Sequence, residues 1–231
     1  MSNKKKVLIL TDSVANPRAF PVSDKTELEE TYPYLIREKF SDFVFWQLSL
    51  GDALSNKLYA QAVSYLHHWS PDIIIVHSGI NDCRPEMASI SLKMLKKISK
   101  LLDSIFKSNF SEKLDKKNFS INKKTSKTDI LSFKRTLKKF KLSFPKAIIY
   151  WIEICSGDEY ENDRPGFNIK ADKFNQVIKE IYDNNMIAIC DLLKDEECFN
   201  VDNLHWKKSA HNILASILIE RISIDINNKN S

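Results

Sequence analysis

The sequence has few of the residues that break up or cross-link a chain. Only 4 glycines and 7 prolines occur among 231 residues, which excludes a collagen-like protein and long glycine-rich linkers. The 4 cysteines show no CxxC spacing, so neither a zinc motif nor a disulfide framework is indicated. With 43% hydrophobic and 28% charged residues, the composition is that of an ordinary globular protein, and the length is ample for one buried core.

Long apolar stretches are also missing. Runs such as Val7–Leu10 and Ile73–Val76 are far shorter than the ~20 residues that span a bilayer. The apolar segment after the basic N-terminus is too short for a secretory signal, and no small-residue cleavage site follows it. We therefore expect no membrane span and a cytoplasmic location, where thiols stay reduced.

The charge is distributed unevenly along the chain. The net charge is +5, yet residues 93–146 carry 17 Lys or Arg against 4 Asp or Glu, while the remaining residues carry 18 against 26. The basic segment is compatible with a solvated helical face, or with a lid or docking surface for an anionic glycan or acyl donor. No recognised nucleic-acid motif accompanies the charge, so we expect no nucleic-acid partner.

Apolar runs that fit buried strands alternate with segments of helical periodicity. The predicted strands are Lys6–Leu10, Phe43–Leu48, Ile73–His77, Ala147–Ile152 and Ile187–Asp191. The predicted helices are Thr31–Phe40, Ala53–His67, Met87–Phe106, Ile130–Phe144, Ile169–Asn184 and Lys208–Ile222. This alternation predicts an α/β protein, a three-layer α/β/α sandwich with a five-stranded parallel sheet. We predict a single domain over residues 1–231, with a basic helical insertion at about 87–145.

Polar residues collect where the predicted strands end. Thr11–Ser13 follows the first strand, Gly51 the second and Gly79–Asp82 the third, and Asp202–His205 precedes the last helix. Ligands of parallel α/β sheets bind at the carboxyl ends of the strands. We therefore expect these four segments to meet in one site.

The residue types in these segments suit acyl transfer. A Ser13 hydroxyl becomes a nucleophile when a base takes its proton, His205 is such a base, and Asp202 could fix the tautomer of its ring. The backbone N–H groups of Ser13 and Gly51 and the side-chain amide of Asn81 could stabilise a developing oxyanion. Taken singly, each residue also has a structural interpretation, because Ser and Asn cap turns and a lone His is often a surface residue.

Together the four segments resemble the four sequence blocks of the SGNH (GDSL-type) hydrolase superfamily. Asp12-Ser13 looks like the nucleophile block, Gly51 like the oxyanion glycine, Gly79-Ile80-Asn81-Asp82 like the GxND block, and Asp202-Asn203-Leu204-His205 like the DxxH block. They occur in the family order and span nearly the whole chain. One departure is Thr11, which stands where the family usually has glycine.

The resemblance implies a flavodoxin-like sandwich and a serine esterase without metal or cofactor. The implied catalytic residues are Ser13, Asp202 and His205, and the implied oxyanion hole consists of Ser13, Gly51 and Asn81. The family's substrates are esters of lipids and acetylated sugars as well as thioesters, and we expect a small acyl group, such as acetyl, on a carbohydrate. An O-acyltransferase of polysaccharide synthesis with the same residues, and an inactive binding module, are the alternatives.

Three further side chains near these blocks are candidates for substrate binding. Arg18 and Arg84 could bind a carboxylate or phosphate, and Trp206, next to His205, could stack on a sugar. Each has a plain alternative, an exposed loop arginine or a core aromatic. The expected ligand is a small-molecule or glycan ester, and the sequence gives no indication of the oligomeric state.

Overall fold

The computed structural model describes residues 4–85, 126–194 and 196–230. Its five strands are β1 (Lys6–Thr11), β2 (Val44–Ser49), β3 (Ile73–His77), β4 (Ile148–Ile152) and β5 (Met186–Ile187). They form one parallel sheet in the order β2-β1-β3-β4-β5. This confirms the predicted five-stranded parallel sheet. The strand ends face one edge, where parallel sheets bind their ligands.

Helices cover the sheet. They are α1 (Tyr32–Lys39), α2 (Ser55–Gln61), α3 (Ile80–Cys83), α4 (Ile130–Ser143), α5 (Tyr160–Asp163), α6 (Phe167–Tyr182) and α7 (Lys208–Asn230). One group consists of α1 packed on α7, and another of α2, α4 and α6 packed side by side. This is the predicted α/β/α sandwich. Within the described ranges, no helix combines the length and apolarity needed to cross a bilayer.

The centre of the sheet forms the core. Val7–Leu10 and Ile73–Val76 are at most 2% exposed. Continuous apolar runs of this kind are typical of parallel strands that are covered on both faces. The sheet therefore provides a rigid base for the residues that follow β1 and β3.

The insertion predicted at about 87–145 is described only from residue 126 onward. The predicted helix Met87–Phe106 lies outside the described residues. The second predicted helix is α4, whose apolar side chains Phe133, Leu137 and Phe140 are fully buried. Its basic residues occupy the remaining faces, as the helical spacing indicates.

The fifth strand is shorter than predicted. The sequence predicts Ile187–Asp191, whereas β5 consists of Met186–Ile187 and a 3₁₀ turn follows at Cys190–Leu193. Beyond Ile187, a side chain binds the backbone N–H groups where the chain leaves the sheet. The Glu153 carboxylate accepts hydrogen bonds from the backbone N–H groups of Ile189 and Cys190, at 2.8 and 2.9 Å.

Candidate active site

The turn after β1 presents Ser13. Asp12 caps this turn, because its Oδ1 accepts a hydrogen bond of 3.0 Å from the backbone N–H of Val14. The backbone N–H of Asp12 donates to the carbonyl oxygen of His77 at 3.1 Å, which ties the turn to the end of β3. Thr11 is still in the strand, and its hydroxyl lies 2.7 Å from that of Ser49 on β2. Threonine at the usual glycine position therefore joins two neighbouring strand ends.

Ser13 is joined to two residues near the other end of the chain. Its Oγ lies 3.0 Å from Nε2 of His205, and Nδ1 of His205 lies 2.6 Å from Oδ2 of Asp202. With Nδ1 donating to the carboxylate, Nε2 is left as the acceptor for the serine hydroxyl. The structure thus brings together the three residues that the sequence predicts as catalytic.

The Asp202–His205 loop is organised around its own carboxylate. Oδ1 of Asp202 accepts hydrogen bonds from the backbone N–H groups of Leu204 and His205, at 3.1 and 2.9 Å. Partial burial raises the pKa of Asp202, but the hydrogen bonds from the ring and backbone of His205 outweigh it and hold the pKa well below its usual range. Asp202 is therefore an anion wherever His205 can act as a base.

Asn81 is positioned by a glycine that cannot be replaced. Gly79 has φ of +127°, and a Cβ there would lie 2.5 Å from Cδ1 of Ile154. The next turn is α3, in which Asn81 is 1% exposed. Its Nδ2 makes one long hydrogen bond, 3.4 Å to the carbonyl oxygen of Ala53, and its Oδ1 has no partner. The amide therefore has donor capacity left for an oxyanion.

Gly51 lies on the loop that leads from β2 to Ala53. The loop is held near the nucleophile turn by a 3.0 Å hydrogen bond from the backbone N–H of Leu50 to the carbonyl oxygen of Thr11. A Cβ on Gly51 would meet no atom within 4 Å. Neither packing nor a left-handed backbone requires glycine at this exposed position, so a ligand could approach the backbone here. The three predicted oxyanion donors thus lie at the same sheet edge.

Asp82 holds the loops around Asn81 together. Its Oδ2 accepts hydrogen bonds from the backbone N–H and the hydroxyl of Ser55, at 2.9 and 2.8 Å, and its Oδ1 accepts one of 2.8 Å from the hydroxyl of Thr128. Burial raises the pKa of Asp82 in spite of these bonds. The fourth residue of the GxND segment is therefore a structural anchor.

The three predicted substrate-binding side chains have different surroundings. Nη2 of Arg18 lies 3.2 Å from Oδ2 of Asp202, so its guanidinium contacts the catalytic carboxylate. Nη1 of Arg84 lies 3.5 Å from Oδ1 of Asp52, an exposed residue next to Gly51. Both remain near the predicted site.

The substrate-binding prediction for Trp206 is corrected. This side chain is 1% exposed, and its ring packs against that of His77 with 4.6 Å between the ring centroids. Its faces are covered, so it cannot stack on a sugar. The sequence position next to the predicted base His205 is compatible both with an aromatic side chain that contacts substrate and with one that fills the core.

A group of buried polar residues lies next to the predicted catalytic residues in the sequence and in the fold. This buried polar cluster consists of Asp12, Tyr32, His77, Trp206 and His211. Each has a buried side-chain nitrogen or oxygen with no hydrogen-bond partner in the described structure. The rings of Tyr32, His77, Trp206 and His211 lie 4.6 to 5.9 Å apart in successive pairs.

Burial favours the neutral forms of the ionisable members of this cluster. It raises the pKa of Asp12 to about 7 and lowers those of His77 and His211 to about 3 and about 4. Asp12 is not among the side chains to which the sequence pattern assigns a chemical role. The available signal was its position at the end of a fully apolar strand, where a carboxyl group is expected to be desolvated.

A metal centre finds no support here. Across residues 4–85, 126–194 and 196–230, no group of three or more His, Cys, Asp or Glu side chains is placed to hold a metal ion.

Comparison with known proteins supports the fold. No family model matches the sequence, and no curated protein does. Among solved structures, a lipase/acylhydrolase from Enterococcus faecalis has a TM-score of 0.64 at 11% identity, with 94% of this chain and 95% of that chain covered. A lipolytic protein of the G-D-S-L family from Desulfitobacterium hafniense has a TM-score of 0.57 at 11% identity, with 94% and 99% covered.

A third similar structure is the acetylxylan esterase Axe2 from Geobacillus stearothermophilus. Its TM-score is 0.56 at 16% identity, and 94% of each chain is covered. These likenesses extend over nearly the whole chain, and they confirm the predicted α/β/α fold.

Proposed function

We propose that the chain is a serine-dependent ester hydrolase that works through an acyl-enzyme on Ser13. The observation that carries this proposal is the continuous hydrogen-bonded path from the Ser13 hydroxyl through the His205 ring to the Asp202 carboxylate. Nucleophile, base and orienting acid are within hydrogen-bonding distance of one another, which is the arrangement required for acyl transfer. The similarity of the fold to lipases and esterases supports it further.

Acylation starts at the hydroxyl of Ser13. Nε2 of His205 takes its proton as Oγ attacks the ester carbonyl carbon, and Asp202 stabilises the imidazolium that forms. The carbonyl oxygen becomes an oxyanion and is stabilised by the backbone N–H groups of Ser13 and Gly51 and by Nδ2 of Asn81. Collapse of this intermediate breaks the ester bond, and His205 gives its proton to the leaving alcohol.

Deacylation repeats these steps with water. His205 removes a proton from a water molecule, the resulting nucleophile attacks the acyl carbon, and the same donors stabilise the second oxyanion. Ser13 recovers its proton from His205 as the acid leaves. No step needs a metal ion or an organic cofactor.

The proposed substrate is a small acyl ester, an acetyl group on a carbohydrate or a related alcohol. The polar character of the described site favours a polar alcohol, since its side chains include Arg18, Asn81 and Asp202. One of the structural neighbours is an acetylxylan esterase, which is consistent with this choice.

Hydrolysis of p-nitrophenyl esters tests the proposal. We expect turnover of p-nitrophenyl acetate, with lower kcat/KM as the acyl chain lengthens, and release of acetate from acetylated xylo-oligosaccharides. Ser13→Ala should remove essentially all turnover and His205→Ala nearly all, and the double variant should be little worse, because members of a triad act as one unit. Near-normal turnover by Ser13→Ala would contradict the proposed nucleophile.

An O-acyltransferase remains the second candidate, because the charge of residues 93–146 suits an anionic donor or glycan acceptor. It would use the same residues and pass the acyl group to a sugar hydroxyl. Adding an acceptor sugar to the assay distinguishes the two. A transferase forms acylated sugar at the expense of free acid, whereas a hydrolase releases free acid at an unchanged rate.

A further inference from the structure

The catalytic carboxylate has a second partner besides His205. Oδ2 of Asp202 accepts both Nδ1 of His205, at 2.6 Å, and Nη2 of Arg18, at 3.2 Å. The side chains of Arg18 and Asp202 are 30% and 38% exposed, so water reaches the pair from one side. One oxygen atom therefore serves the base and a permanent cation at the same time.

The backbone of Arg18 is held in place by hydrogen bonds, and this positions its side chain next to Asp202. We call residues 18–26 the strap. Its two ends are paired by hydrogen bonds of 2.9 Å in each direction between Arg18 and Thr26. The hydroxyl of the buried Thr26 donates to the carbonyl oxygen of Trp206 at 3.4 Å, directly after His205.

The middle of the strap is attached to the catalytic loop as well. Oδ2 of Asp24 accepts a hydrogen bond of 3.1 Å from the backbone N–H of Val201. The backbone carbonyl oxygen of Asp24 accepts another, of 3.3 Å, from Nδ2 of Asn200. Nζ of Lys207 lies 3.4 Å from Oδ1 of Asp24. The strap thus connects the chain after Ser13 to both sides of the Asp202–His205 loop.

We propose that Arg18 is a positioning residue of the triad, which orients Asp202 and limits how strongly Asp202 favours a protonated His205. This inference rests on the proposed hydrolase function. Backbone N–H groups already hold Oδ1 of Asp202, and the guanidinium adds a second partner on Oδ2, the oxygen that orients the His205 ring. The positive charge also lies close to the imidazolium that forms during catalysis, and it offsets part of the stabilisation that the Asp202 carboxylate gives to that imidazolium.

The expected effects follow from these two contributions. Arg18→Gln should lower kcat on the order of tenfold through loss of orientation. It should also move the acid limb of the pH–rate profile upward by roughly 0.5–1 pH unit, the size expected for a charge a few ångströms away at a partly solvated site. Arg18→Lys keeps the charge but loses the planar fork, so its acid limb should stay with wild type while kcat is partly reduced.

The competing role is direct binding of an anionic substrate. That role predicts a raised KM for an acidic ester, with unchanged kcat and an unchanged acid limb for a neutral ester such as p-nitrophenyl acetate. The positioning role predicts the same drop in kcat and the same shifted limb for both esters, with little change in KM for the neutral one. The first result would overturn our inference, and the second would support it.

Controls distinguish three outcomes: a variant that does not fold, a failure of the proposed function, and a failure of this inference. Arg37→Gln removes a guanidinium that lies over the Phe45 ring on the edge strand, and should leave the profile unchanged. If Arg18→Gln does not fold, Arg18→Met keeps the apolar stem and serves the same test.

If wild type is no faster than Ser13→Ala on any ester, the hydrolase proposal fails. NMR titration of the His205 ring in wild type and Arg18→Gln then still tests the pair, because an unchanged titration would exclude the electrostatic role.

Discussion

Replacing Asp12 with asparagine should make the free energy of unfolding depend on pH in a new way. The carboxyl group is completely buried, and burial raises its pKa to about 7, against ~3.9 in an unfolded chain. Between about pH 4 and 7 the unfolded chain has lost this proton while the folded protein keeps it. Asp12 therefore contributes most to the stability of the wild type at low pH, and this contribution is lost as the pH rises through this window.

The magnitude is large enough to measure. A difference of roughly 3 pKa units corresponds to about 4 kcal/mol in the free energy of unfolding. Relative to wild type, Asp12→Asn should gain this stability at about 1.4 kcal/mol per pH unit, and the gain should level off above pH 7. Asparagine keeps an oxygen to accept the hydrogen bond from the Val14 N–H. Any fixed cost of the new amide group shifts the whole difference curve without changing its slope.

Urea unfolding followed by tryptophan fluorescence between pH 4.5 and 8.5 tests this reasoning on both variants. His77 and His211, which burial also keeps neutral, titrate identically in both and cancel from the difference. Asp42→Asn, at an exposed carboxylate, is the matched control and should give a nearly flat difference. Parallel stability curves for wild type and Asp12→Asn would refute the claim that burial raises the pKa of Asp12.

The remaining predictions concern catalysis. Asn81→Ala should lower kcat by roughly 10²–10³-fold with little change in KM, and a normal kcat in a well-folded variant would contradict its oxyanion role. Gly51→Ala should keep the wild-type Tm, since its Cβ meets no neighbour, so a fall in kcat/KM would come from blocking the ligand. If residues 93–146 face the substrate entrance, kcat/KM for an acidic ester should fall between roughly 20 and 300 mM salt while that for a neutral ester stays constant, and equal responses would indicate a solvated face.

The strands that build the sheet were predictable because burial on both faces leaves a continuous apolar run, as at Val7–Leu10 and Ile73–Val76. β5 was predicted too long for a reason that lies outside its own sequence. The Glu153 carboxylate, which follows β4, accepts hydrogen bonds from the N–H groups of Ile189 and Cys190, where the chain leaves the sheet for a 3₁₀ turn. A local pattern carries no information about such a distant side chain.

The candidate site shows the same division. The identities of Ser13, Asn81 and His205 follow from motifs at strand ends, because topology alone brings those ends to one edge. The environment of each side chain does not follow. The predicted substrate contact Trp206 is buried, and the ion pair between Arg18 and the Asp202 carboxylate is not indicated by the sequence pattern.

The buried polar cluster explains how two distant parts of the chain are kept in register. Asp12 precedes Ser13, Trp206 follows His205, and both contact His77 at the end of β3. The backbone N–H of Asp12 donates to the carbonyl oxygen of His77, and the ring of Trp206 packs against the His77 ring. Apolar side chains of similar volume would give more stability, since unpartnered buried polar atoms are costly. The contacts of Asp12 and Trp206 with His77 nevertheless link the turn that presents Ser13 to the loop that carries His205, whose Nε2 lies 3.0 Å from the Ser13 Oγ.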